Sequence, residues 1–161
     1  MISLSRRAYS VVSVLLLCEI LAQFYFMAAF AFAVWLAADN EKSVAAAVQG
    51  ADIFGGLHAL NGVLVIPVTM LVLVALSFAS RYSWRTTGLT AVLLGLMIIQ
   101  FLLVVAGASK LTYVAGLHAV NAIALVGYAA WTIRRNWAFG PNSLTTAARA
   151  AGAIKAGKQP A

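Results

Sequence analysis

The chain has little charge, and least of the negative sign. Among 161 residues there are four Asp and Glu against eleven Lys and Arg, charged residues make up 9%, and mean hydropathy is +0.95. A soluble domain carries about 25% charged residues, so this composition excludes an ordinary soluble globular fold. Cysteine is nearly absent, and the single Cys18 excludes an intramolecular disulfide, a thiolate metal cage and a Cys-x-x-Cys redox pair. The sequence also lacks a phosphate-binding loop and a nucleophile–base–acid constellation, which argues against hydrolytic and nucleotide-dependent enzymes.

Apolar residues are what the chain has, 63% of it. Four runs reach the roughly 20 residues that span a bilayer as helix: about 8–37, 53–80, 87–108 and 111–133. The fold expected is all-α: an integral membrane four-helix bundle over residues 1–135, built from two repeated helical hairpins. Residues 136–161, which open on the breaker Gly140-Pro141-Asn142, are expected to form a mobile basic cytoplasmic tail. The opening Ser5-Arg6-Arg7 and the pair Leu17-Cys18 resemble export-signal motifs only superficially. The apolar run is too long for a cleavable signal, and a bulky Leu stands where processing needs a small residue.

The basic residues give an orientation. With both termini cytoplasmic, Arg6, Arg7, Arg81, Arg85, Arg134, Arg135, Arg149, Lys155 and Lys158 lie inside, nine of the eleven, and only Lys42 and Lys110 outside. The net charge of +7 therefore reads as topology and contact with anionic lipid in the cell's inner (plasma) membrane, and not as a nucleic-acid surface. The expected outer loop, Ala38 to Asp52, contains an Ala-rich stretch, Val44 to Val48, suited to a short surface helix. Pro67 is expected to kink the second span near Gly62 and Val63.

A seven-residue segment occurs twice. Gly56-Leu57-His58-Ala59-Leu60-Asn61-Gly62 returns 60 residues later as Gly116-Leu117-His118-Ala119-Val120-Asn121-Ala122, identical at five of seven positions. Each copy lies on the second helix of a hairpin, the arrangement of a parallel repeat about an axis along the membrane normal. His58 and His118, the only histidines, are then expected to face each other at similar depth, about 9 to 12 Å inside the outer helix ends. Positions three before and four after each histidine share its face: Gly55 and Gly62, Ala115 and Ala122. Two imidazoles in clearings of small residues suit a flat macrocycle whose iron takes two axial nitrogens. Asn61 and Asn121, one turn on, are expected to bond propionates, backbone or each other. The alternative is a small-residue packing interface in which His and Asn are interhelical hydrogen-bond partners.

These residues resemble one four-helix half of heme A synthase, in which each half carries heme-ligating histidines on its second and fourth helices near the outer face. That family's Gln-rich start to the third helix is similar to Gln100-Phe101-Leu102-Leu103-Val104-Val105-Ala106-Gly107. The resemblance implies a bis-His heme b site made by His58 and His118, with Gln100 beside it. The catalytic half of the family carries a Glu three residues before its first histidine; Gly55 stands there, so the similarity is to the half that holds a heme b. Small bacterial four-helix membrane proteins with a Leu-His-Ala-x-Asn-Gly motif are also similar.

Glu19 is the one acidic residue inside a span. Helical rise puts it about 15 Å from the histidines, which excludes a shared two-His, one-carboxylate metal site. It is expected to hydrogen-bond Gln23 or a neighbouring helix, with a proton relay as the alternative. Phe24, Phe26, Met27, Phe30 and Phe32 are expected to face lipid or core. The functions consistent with the sequence are a membrane heme b protein for electron transfer, heme handling or respiratory-complex assembly; a cofactor-free subunit of a homo-oligomer or larger membrane complex; and a small transporter using Glu19.

Overall fold

The computed structural model describes residues 4–40, 43–109 and 111–139. Lys42, Lys110 and the segment 140–161 lie outside them, as does the side chain of Ala115. The described residues form four helices, each long and apolar enough to cross a membrane: α1 (Leu4–Asp39), α2 (Val44–Ala79), α3 (Trp84–Ala108) and α4 (Thr112–Asn136). They run up and down. Arg6, Arg7, Arg81, Arg85, Arg134 and Arg135 collect at one end, called here the arginine end, and the α1–α2 and α3–α4 connections form the far end.

Local chemistry sets the turns. Ser43 and Ser83 cap α2 and α3, each side-chain oxygen accepting a backbone N–H 3.3 Å away from Ala46 and Thr86. At the end of α2 the chain reverses through Arg81 at φ 52°, with Arg81 N–H on the Phe78 carbonyl and Tyr82 N–H on the Ser77 carbonyl. This is the Schellman arrangement, here with Arg in the left-handed position that Gly usually takes. The α1–α2 connection is shorter than the sequence suggests. In place of a separate surface helix, Val44 to Val48 are the first turns of α2, because the Ser43 cap starts the helix early and Ala47 and Ala51 bury themselves against α1.

Pro67 acts where expected. It has no N–H to offer one turn back, and α2 passes through a π-helical turn, Asn61–Val65, closed by Ile66 N–H on the Asn61 carbonyl. The extra residue of that turn explains the packing below it. Ile66, Met70 and Leu73 on α2 follow the same spacing as Leu125, Ala129 and Thr132 on α4, but His58 lies eight residues before Ile66 whereas His118 lies seven before Leu125. On the other pair, Ser10, Ser13, Leu16 and Ile20 of α1 follow the spacing of Thr87, Thr90, Leu93 and Met97 of α3.

The buried cluster, which includes Tyr9, Leu16, Ile20, Met70, Leu73 and Leu93, lies on the arginine side of both histidines. Hydroxyls at that end pair among themselves, Tyr9 with Thr90 at 2.7 Å and Ser77 with Thr87 at 3.2 Å. Beyond Ile20 on α1 and Gln100 on α3 no described residue is buried, and the Val44–Leu60 part of α2 packs on α1 alone. The two hairpins are thus closed together at the arginine end and separated at the far end.

Candidate functional site

Where the hairpins separate, a cavity of about 440 Å³ opens, lined by all four helices and almost wholly apolar. Its size falls within the range of small-molecule and cofactor sites. His58 and His118 both line it, with ring centroids 6.4 Å apart and planes inclined at 62°. They are brought level by the overhang of α2, since His58 lies far from the start of its helix and His118 only six residues into α4.

Each hairpin sets its histidine in the same frame. Asn61 Nδ2 donates to the Glu19 carbonyl at 2.9 Å, and Asn121 Nδ2 donates to the Leu96 carbonyl at 2.9 Å. One turn beyond those carbonyls stand Gln23 and Gln100, both lining the cavity. The hairpins then differ. Gln100 Nε2 donates to His118 Nε2 and to the His118 carbonyl, each at 3.1 Å, and Gln100 Oε1 accepts from Asn121. With Nε2 accepting, the ring proton of His118 is on Nδ1. The Gln23 amide has no partner for either polar atom, though both are buried, and the Nδ1 atoms of His58 and His118 are likewise buried without partners.

Of the residues expected around the histidines, Gly62, Ala122 and Gln100 line the cavity. Gly62 leaves room for an amide: a Cβ there would lie 3.4 Å from Gln23 Nε2. Gly55 does not face the cavity. It lies on the α1 side, where a Cβ would meet the Phe30 ring at 3.6 Å, an ordinary contact. Asn61 and Asn121 take the backbone option, which fixes the height of each hairpin's helices instead of presenting amides to a ligand.

Sequence reasoning missed Ala59 and Ala119, one residue after each histidine, and it left Phe24 and Met27 to lipid or core; all four line the cavity. The duplication itself carried the signal for the alanines. Nothing in the spacing told which side of α1 would face the gap between hairpins. Glu19 accepts from Thr69 Oγ1 at 3.0 Å on α2, and it does not line the cavity. It does not stand about 15 Å away as helical rise suggests: its carbonyl accepts from Asn61, one turn from His58, because α2 starts at Val44 and overhangs the expected outer end.

When two imidazoles bind one metal on opposite sides at about 2 Å each, with each ring centre about 1 Å behind its nitrogen, the ring centres stand about 6 Å apart, close to the observed separation. No group of three or more His, Cys, Asp or Glu occurs among the described residues. A bare zinc ion, which takes four ligands, would find only two among these residues, whereas the iron of a macrocycle needs only two from the protein. The two imidazoles and the apolar walls fit heme b. Ligation of His118 through Nε2 requires the Gln100 amide to swing away. Searches of family models, curated proteins and solved structures each find no match to this chain.

Proposed function

We propose that the chain is a multi-pass membrane protein that binds heme b between its two hairpins, with His58 and His118 as axial ligands, for electron transfer, heme handling or assembly of a respiratory complex. The observation that carries the reading is the pair of imidazoles 6.4 Å apart in an apolar cavity. Bound there, the group supplies one-electron redox chemistry. The protein's part is to hold and screen. Asn61 and Asn121 fix the level of the histidines, Gly62, Ala59, Ala119 and Ala122 keep bulk off the cavity, and Phe24, Met27 and Phe101 exclude water. Gln100 keeps His118 oriented until its nitrogen is taken. We read the two hairpins as a repeated unit, supported by the doubled motif and the matched spacings. The arginine end is assigned to the cytoplasm in the inner (plasma) membrane, with lipid around the helices.

An absorption spectrum of protein purified from heme-replete cells tests this. The expected result is a Soret band whose companion bands sharpen on reduction and which His58→Ala and His118→Ala each abolish. A colourless preparation, with both variants indistinguishable from the parent, overturns it. One observation favours a second reading, a cofactor-free subunit of a homo-oligomer or larger complex: His118 already has a protein partner in Gln100. That reading expects replacement of both histidines by Gln to leave assembly intact.

A further inference from the structure

Glu19 is the residue that sets one hairpin apart from the other. At the spacing that matches Gln23 with Gln100, Glu19 matches Leu96. Both backbone carbonyls accept from an Asn of the paired helix, yet one side chain is a carboxyl and the other a hydrocarbon. Packing at this position is thus satisfied by an apolar residue in the equivalent place. The carboxyl has one donor, Thr69 Oγ1 at 3.0 Å on Oε1, while Oε2 is buried with no partner.

Its surroundings define a direction of access. One turn toward the far end, Gln23 presents two buried, unpartnered amide atoms at the cavity wall. Toward the arginine end, Leu16, Met70, Leu73 and Leu93 are buried and close the way. Titratable groups on the helices packed against α1 are Asp52 and His58 on α2, and Tyr113, His118, Tyr128, Arg134 and Arg135 on α4; α1 itself carries Cys18 next in sequence, and Tyr9 and Tyr25 further off. No cation contacts Glu19 among the described residues, and the bond from Asn61 to its carbonyl places it one turn of α2 from His58. An unpaired carboxylate at this depth in hydrocarbon is disfavoured, so the charge on the carboxyl depends on what charge the cavity holds.

We propose that Glu19 is a proton-binding site linked to the cavity. Its carboxyl keeps a proton while no positive centre is present, and it loses that proton when ferric heme, a single net positive charge at the iron and porphyrin, is held by His58 and His118. One O–H bond breaks, the proton passes to bulk water, and no electron moves. The proposal rests on the heme reading.

Carbodiimide labelling tests it, because dicyclohexylcarbodiimide partitions into hydrocarbon and reacts with a protonated carboxyl. The full chain in lipid nanodiscs is treated without heme, with ferric heme and with heme reduced by dithionite, and the adduct is read by mass spectrometry beside the absorption spectrum. Heme-free protein is expected to be labelled at Glu19 at neutral pH, and Glu19→Gln is not. Ferric heme lowers labelling several-fold, reduction restores it, and in His58→Ala/His118→Ala labelling persists whatever heme is added. Absence of labelling in heme-free protein overturns the proposal, as does labelling unchanged by heme whose absorbance shows it bound. Protection equal in both oxidation states marks steric cover and also overturns it. Glu19 labelled normally in protein that never acquires heme absorbance removes the heme reading, and the linkage with it.

Discussion

Gln23 and Gln100 hold corresponding places in the two hairpins, yet the same substitution has opposite consequences at each. Gln100→Leu removes the donor to His118 and one of the two acceptors of Asn121, leaving the half-buried His118 ring without a protein partner while Asn121 keeps the Leu96 carbonyl. A group orphaned in this way costs about 1–3 kcal/mol, which lowers the midpoint of unfolding in detergent. Gln23→Leu removes two polar atoms that have no partner, so stability is unchanged or rises, while affinity for added heme falls because the amide at the cavity wall is gone. Unfolding curves of the two variants side by side check this; equal losses refute the asymmetry. The histidines and the small residues after them were legible in the sequence because the segment is duplicated. Gln23 was not legible as a cavity residue. It is one polar residue on a helix apolar all round, and its proximity to Glu19 in sequence drew it into the wrong pair.

At the scale of the element, the helices follow from length and hydropathy, and a disturbance of α2 before Pro67 follows from the missing N–H, but its form, a π-helical turn, and its consequence need three dimensions. His58 is separated from the core position Ile66 by one residue more than His118 is from Leu125, and each residue of α-helix turns the chain by about 100°. The π-helical turn at Asn61–Val65 takes up that residue, so His58 points into the cavity. Pro67→Ala restores an N–H and lets regular helix propagate, which rotates His58 away. Heme absorbance is then expected to fall several-fold with helical circular dichroism unchanged. Deleting Val63 in the same protein returns the spacing to that of α4 and is expected to restore absorbance. Full heme binding by Pro67→Ala, or no recovery on deletion, counts against this account. The early start of α2 was hidden for another reason: between Lys42 and Asp52 the alanines suggest only a short surface helix in a loop, and it is the burial of Ala47 and Ala51 against α1 that joins Val44 to Val48 to α2.

At the scale of the molecule, the surface is apolar where the helices are long: Leu71, Ile98 and Ile123 are each more than half exposed on the outside of the bundle. Such a belt is what helices long and apolar enough to cross a membrane present to hydrocarbon. The arginines bound it at one end, where Arg6 lies over the Tyr82 ring and Arg135 over Trp131, both at about 5 Å. Cytoplasmic loops carry the excess of basic residues, so the proposed orientation has the arginine end inside and the cavity toward the outer half of the membrane. Single cysteines on a Cys18→Ser background turn that orientation into a measurement. Leu4 and Asn40 are both exposed and lie at opposite ends of α1. With a membrane-impermeant maleimide, Asn40→Cys is expected to react in intact spheroplasts and Leu4→Cys only after the membrane is opened. The reverse pattern would put the arginines outside, against the charge rule, and would move access to the cavity to the cytoplasmic face. Reaction of both in intact spheroplasts would mean that α1 does not cross the membrane.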